Sequence, residues 1–218
     1  MLLHRAPTET VPPNNPADPG FSLVAGAPGL DFINSVRFRG RAEECDTILE
    51  YAHLLDWTTE AGTLSVSTVH RLRERAEATP GAANATLRRA RQLRDALFSA
   101  FSAVVSDERI SGTDLGTLNG CLREAGRNRV VASDPGGGYS WRWDVGNNLE
   151  APLWPIADSA GSILTSGQGV LVKQCDGESC LRIFLDSTKN RRRRWCDAAG
   201  CGNRHRVREH YRRSVGQA

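Results

Sequence analysis

Residues 175–201 read CDGESCLRIFLDSTKNRRRRWCDAAGC, and this stretch decides the fold of the C-terminal end. It holds two cysteine pairs, Cys175/Cys180 and Cys196/Cys201, each with four intervening residues. A tetrahedral zinc ion takes four soft ligands at about 2.3 Å, and thiolates supply them. A short loop between two ligands lets the chain wrap the ion. Gly177 and Ser179 suit a turn in the first loop, and Gly200, directly before Cys201, permits left-handed backbone angles in the second. One such pair is a weak signal, whereas two matching pairs are a strong one. The competing readings are two disulfides or buried free thiols. Leu181, Ile183 and Leu185 alternate as in a strand, RRRRW at 191–195 reads as its return strand, and the chain beyond Cys201 reads as a helix. Knuckle, hairpin, knuckle and helix is the order of treble-clef zinc modules. A segment this short has little apolar core of its own, so a metal contributing on the order of 10 kcal/mol is the expected staple.

The rest of the chain is different in kind. Its 218 residues are 39 % hydrophobic and 24 % charged, which suits one large or two smaller globular domains. No run approaches the roughly 18–20 apolar residues of a membrane span. Residues 1–20, MLLHRAPTETVPPNNPADPG, lack the apolar core of a secretory signal and read as a disordered, Pro-rich arm. The expected compartment is a reducing cytoplasm, where six cysteines point to metal more than to disulfides. The formal net charge of +3 hides an asymmetry: twelve Lys/Arg face five Asp/Glu from Lys173 onward, and sixteen face twenty before it. A basic end on a mildly acidic body suggests a polyanion-binding module.

Hydrophobic spacing predicts helices over 47–59 with Asp46 as N-cap, over 65–79 ending at Pro80, over 84–107, over 113–126, and over 151–167. RVVAS and YSWRWDV flank DPGGG and read as a β-hairpin. GLDFINSV is a short strand or a first helical turn. The fold class is α+β: a mostly helical domain over 21–170 with a small antiparallel sheet, then a small treble-clef-like zinc finger over 171–218. Cys45 and Cys121 are isolated and read as small core residues. Asp31 and Asn34 share a face if their segment is helical; they cap a helix, satisfy buried backbone, or bind a polar ligand. Arg88, Arg89, Arg91 and Arg94 lie opposite the apolar stripe of the long helix, mostly solvated. No nucleophile elbow, phosphate loop, HExxH or dinucleotide fingerprint occurs, so no enzymatic activity is expected.

The basic residues of the end form two groups. Arg191, Arg192, Arg193 and Arg194 lie on the hairpin side. Arg204, His205, Arg206, Arg208, Arg212 and Arg213 lie on the helix, where 204, 208 and 212 make one stripe and Val207 and Tyr211 turn to the core. Arginine suits phosphate forks and guanine edges, so nucleic acid is the sharp reading and a solvated face the bland one. Asn203 caps the helix, donates to a metal-bound sulfur, or contacts DNA. Arg204 pairs with Asp186 or Asp197, or contacts DNA. Trp195 covers the metal.

These residues carry a resemblance. FLDSTKNRRRRWCDAAGCGNRHRVREHYRR resembles the CGNR zinc-finger module, named for the tetrapeptide at 201–204. LDFINSV, the arginine-rich long helix and APLWPIADSAGSIL are similar to the bacterial domain usually found before that finger, described as a putative stress-induced transcription regulator. The resemblance spans about 21–215. It implies a bacterial DNA-binding regulator with zinc on Cys175, Cys180, Cys196 and Cys201, and Gly202, Asn203 and Arg204 complete its signature; from the basic residues themselves, DNA contacts are expected from Asn203 and the arginines and histidine named above. A small-molecule effector and a homodimer are further expected partners, and a membrane is not. The alternatives are a zinc-stabilised protein-interaction module and, more remotely, an enzyme with its pocket in the helical domain.

Overall fold

The computed structural model describes residues 20–215; the Pro-rich arm before Gly20 lies outside the described residues. The body is built around one long helix, α4, on which α1, α2, α3 and α5 pack. Helix α1 (Pro28–Ile33) begins with Pro28, whose missing N–H costs nothing in a first turn. It is followed by a two-residue pairing of β1 (Val36–Arg37) and β2 (Cys45–Asp46), then α2 (Tyr51–Glu60) and α3 (Val66–Ala78). The Ser65 hydroxyl caps α3 by accepting from Thr68 N. Helix α4 (Pro80–Val105) spans 26 residues and buries Leu87, Ala90, Leu93, Leu97, Ala100 and Phe101. Helix α5 (Gly112–Arg127) packs on it, and α6 (Leu153–Thr165) packs on α5 and α1. Between α5 and α6 stands the expected hairpin, β3 (Arg129–Ser133) with β4 (Tyr139–Trp143), in antiparallel register.

Two close approaches show how tightly α1 is held. A Cβ at Gly29 would come within 3.0 Å of Ala160 N and 3.2 Å of Ile156 O, so glycine lets α1 lie directly on the α6 backbone. Phe32 meets Trp57 edge-on at 5.3 Å between ring centroids.

Helix α2 starts at Tyr51, four residues later than its spacing suggests, and Asp46 does not cap it. The Asp46 carboxylate instead accepts from Ile48 N and takes both Arg94 guanidinium nitrogens, at 2.8 and 2.5 Å. Arg94, expected to be solvated, is 3 % exposed and also reaches Ser35 Oγ at 2.8 Å. A bidentate ion pair outcompetes a helix cap because the buried Arg94 charge would otherwise be stranded in the core. Cys45 lies in a strand, half-buried, and Cys121 is buried in α5.

The C-terminal part holds β5 (Val172–Gln174), β6 (Ile183–Leu185), a π-helical turn (Ala198–Gly202) and α7 (Asn203–Val215). Residues 191–195 form no strand; the partner of β6 is β5, in register Val172↔Leu185, Lys173↔Phe184 and Gln174↔Ile183. The first cysteine loop is therefore the tip of this hairpin. Ile183, Phe184, Cys175, Cys196 and Cys201 join the same buried cluster as Leu30, Phe32, Leu93 and Trp154, so finger and body share one core.

Candidate metal centre and nucleic-acid interface

The β5–β6 hairpin delivers Cys175 and Cys180. Cys175 N donates to Arg182 O at 2.8 Å and Cys180 N to Gly177 O at 2.9 Å, which closes the loop. The residue that takes the left-handed backbone here is Leu181, with φ of 50°, while Gly177 and Gly200 keep ordinary φ. Gly177 is needed for room: a Cβ there would lie 3.1 Å from Cys180 Cβ and 3.4 Å from Cys201 Sγ. The second pair is set by Asp197, whose carboxylate accepts from Ala199 N at 3.0 Å and Gly200 N at 2.9 Å. Those bonds open the π-turn, with Cys196 just before it and Cys201 inside it at the start of α7.

All four Sγ atoms lie within 4.8 Å of one another. Cys180–Cys196 measures 3.5 Å and Cys196–Cys201 3.7 Å. A tetrahedral ion with sulfur ligands at about 2.3 Å sets its sulfurs about 3.8 Å apart, so the quartet fits such an ion. The same separations exceed the roughly 2.05 Å of a disulfide, and all six cysteines are free. Cys175, Cys196 and Cys201 are buried. The thiols split by hydrogen bonding to one another. Cys175 is pushed down to about 6, chiefly by bonds from Cys180 and Cys196. Cys201 is also held low, first by Cys175 and the other thiols, with the Arg204 guanidinium adding to it. Cys180 and Cys196 are held high, each mainly through its bond to Cys175. Two donors from outside the quartet also meet sulfur: Cys196 N at 3.3 Å from Cys175 Sγ, and Arg204 at 2.9 Å from Cys201 Sγ. Such donors stabilise thiolate charge around a metal.

A family model described as "Putative stress-induced transcription regulator" matches residues 26–167, and one described as "CGNR zinc finger" matches 172–214. The chain belongs to this regulator family. No curated protein matches it. Among the described residues, no helix is long and apolar enough to cross a membrane.

The finger is braced by a residue that spacing does not single out. Asp186 is fully buried and accepts from Lys173 Nζ at 2.6 Å, Thr188 Oγ1 at 2.5 Å, Thr188 N at 3.1 Å and Arg193 N at 2.9 Å. Burial by itself would push its carboxyl up; these donors outweigh burial and hold it well below the usual carboxylate range. Arg193 is not a free surface cation. It donates to the carbonyls of Trp195, Val24 and Cys196 and stacks over Phe184 at 4.5 Å.

Asp31 and Asn34 hold the finger to the body. Asn34 Nδ2 donates to Ile183 O at 2.8 Å, and Ile183 N donates to Asn34 Oδ1 at 3.0 Å. Asp31 Oδ1 accepts from Ala25 N at 2.8 Å, and Ala25 O in turn accepts from Leu185 N at 2.8 Å. Burial pushes the Asp31 carboxyl up to about 6, against the Ala25 N–H and the nearby Arg182 and Arg193 charges. Both side chains are thus committed to backbone rather than open to a ligand.

The basic residues separate by partner. Arg204 sits on Cys201, and Arg208 meets Glu178 at 2.6 Å. Arg212 meets Glu209 at 3.1 Å and Glu178 at 3.7 Å. Neither Asp186 nor Asp197 pairs with Arg204: Asp186 is taken by Lys173, Thr188 and the Arg193 backbone, and Asp197 by the backbone of Ala199 and Gly200. Arg194 pairs with Asp176 at 2.6 Å and lies over Trp195, whose ring also meets His205 at 5.1 Å. Arg191, Arg192, Arg206 and Arg213 have no carboxylate partner among the described residues. Val207 and Tyr211, expected against the core, are 61 % and 68 % exposed, and Asn203 is exposed. Spacing places 204, 208 and 212 on one face, as observed. It does not say that this face lies beside the first cysteine loop and pairs there with Glu178.

Proposed function

We propose that the chain is a DNA-binding transcription regulator whose finger, residues 171–218, holds one zinc ion on Cys175, Cys180, Cys196 and Cys201. The observation that carries this reading is the sulfur quartet at the root of an exposed, arginine-rich helix. The ion, when bound, neutralises thiolate charge and cross-links the β5–β6 loop to the start of α7. The chain's own groups do the rest. Asp197 opens the turn, Asp186 and Lys173 fix the basic loop, and the cations without carboxylate partners meet phosphate. The helical part, 21–170, serves regulation. A cleft of about 460 Å³ lined by Thr68, Trp141, Trp143 and Val145 is large enough for a metabolite, and we place effector binding there rather than at Asp31 and Asn34.

The test is metal analysis together with duplex binding across salt. Zinc at one per chain is expected. With Arg191, Arg192, Arg206 and Arg213 on phosphates, log K falls against log salt with a slope of about −3 to −4. Absence of zinc, or a flat salt response, rejects the reading.

One observation favours a second reading, a zinc-stabilised protein-interaction module. Hairpin β3–β4 presents Val131, Tyr139 and Trp141 on one face at 61, 80 and 62 % exposure, an apolar stripe of the kind that docks on protein. Salt-independent retention of a protein partner without duplex binding would decide for it.

A further inference from the structure

Resting on that DNA reading, the geometry points to a division of labour around α7 that reverses the one its basic stripe suggests. We propose that Arg204, Arg208 and Arg212 brace the helix, while Asn203, Arg206, Val207, His210, Tyr211 and Arg213 form the face that enters duplex DNA.

The two faces follow from the helical repeat and from their partners. At 3.6 residues per turn, 204, 208 and 212 fall together with His205 and Glu209. All five line the small cleft against Asp176, Glu178 and Cys201, which measures about 50 Å³ and admits no nucleotide. The Arg204 guanidinium is occupied by a sulfur and those of Arg208 and Arg212 by Glu178, so their charge is offset before any phosphate arrives. Positions 203, 207, 210 and 214 fall on the opposite side, with 211 along one edge of that side and 206 and 213 along the other. There the helix carries two exposed apolar side chains among polar ones. Its backbone packs mainly on the Ala198–Gly202 turn, so among the described residues the outer side meets no other element closely.

The chemistry of that outer face fits a major groove. An α-helix fits its width, amide side chains such as Asn203 pair with adenine edges, and apolar side chains meet the thymine methyl. Val207 and Tyr211 supply such apolar contact, which a purely electrostatic surface has no use for. Arg206 and Arg213, two turns apart along one edge of the face, reach the phosphates that position it. Arg191 and Arg192 lie at the loop before the second cysteine pair and add further phosphate contacts from the finger's other side.

The experiment uses the full zinc-loaded chain. A random-sequence duplex pool is selected on the wild-type protein, and affinities are then measured for the enriched duplex and for the unselected pool. Arg206→Gln with Arg213→Gln lowers the salt slope by about 2, since each lost phosphate contact removes about 0.9. Arg208→Gln with Arg212→Gln leaves the slope within about 0.5 of wild type. Val207→Ala with Tyr211→Ala reduces the enriched-over-pool preference at least tenfold and changes pool affinity less than about threefold. Zinc content at one per chain and an unchanged far-UV spectrum certify each variant as folded. The opposite ranking, with the Arg208/Arg212 pair lowering the slope and the Arg206/Arg213 pair silent, overturns this assignment and leaves the DNA reading standing. A wild-type chain that binds no duplex at low salt overturns both.

Discussion

Asn34→Ala should break the finger from the body. The Asn34 amide exchanges two hydrogen bonds with the Ile183 backbone, at 2.8 and 3.0 Å, with Asn34 4 % and Ile183 0 % exposed. These are the groups of β6 that point away from β5, and the amide stands in for the third strand that would otherwise satisfy them. Truncation strands one N–H and one C=O where water does not reach. Each such group costs about 1–3 kcal/mol, so the loss is about 2–6 kcal/mol in all. Urea unfolding of the zinc-loaded protein, followed by tryptophan fluorescence and far-UV dichroism, reads this as a lower midpoint at unchanged m. Chelator-driven zinc release should accelerate too, because β6 carries the Cys180 end of the loop. Asn34→Asp should be no better, since a carboxylate faces the Ile183 carbonyl without a proton to donate. A loss under about 1 kcal/mol for both variants would refute the reasoning and show that β6 finds other partners.

Two further outcomes follow from the same geometry. Gly177→Ala forces a methyl group to within 3.1 Å of Cys180 Cβ and 3.4 Å of Cys201 Sγ, and should weaken zinc affinity about tenfold or more in a competition titration. Asp31→Asn keeps the acceptor for Ala25 N but removes a buried charge. The folded-state pKa of about 6 is above the unfolded value, so wild-type stability from this group is complete below pH 4 and is lost as pH rises through 6. The variant should therefore gain on wild type by about 2–3 kcal/mol between pH 4 and 7, measured by urea unfolding at each pH. A difference that does not change with pH would contradict the assigned burial.

The parts legible in the sequence are those written in local spacing. Helices α3 to α6 follow from their apolar repeat, the β3–β4 hairpin from DPGGG between β-rich runs, and the sulfur quartet from paired loops of equal length. What escaped depends on partners distant in the chain. β5 is three residues long, too short for a period, and only β6 shows that it is a strand. Asp46 has the look of a helix cap until Arg94, 48 residues on, arrives from α4. Arg193 is indistinguishable from its three neighbours in RRRRW, yet its guanidinium fills the gap between Phe184 and the Val24 carbonyl. Val207 and Tyr211 have core spacing, and only the finger's small size leaves them without a core to face.

The segment LDFINS at 30–35 gains its meaning from this arrangement. Leu30, Phe32 and Ile33 are buried in the common core, Asp31 and Asn34 hold Ala25 and Ile183, and the Ser35 hydroxyl takes Arg94. Every side chain in it has a partner, and two of those partners, Ile183 directly and Leu185 through Ala25, belong to the finger's own strand. A tether made of buried backbone hydrogen bonds does not flex the way a polar linker does. A change in how α1 packs on α6 or α4 therefore has a short route to β6, and from β6 to the cysteine loop that braces Arg208 and Arg212. On this reasoning an effector bound to the body need not move the finger as a rigid unit. It need only shift α1 by enough to weaken the Asn34–Ile183 exchange, and the readout would be zinc release and duplex affinity changing together.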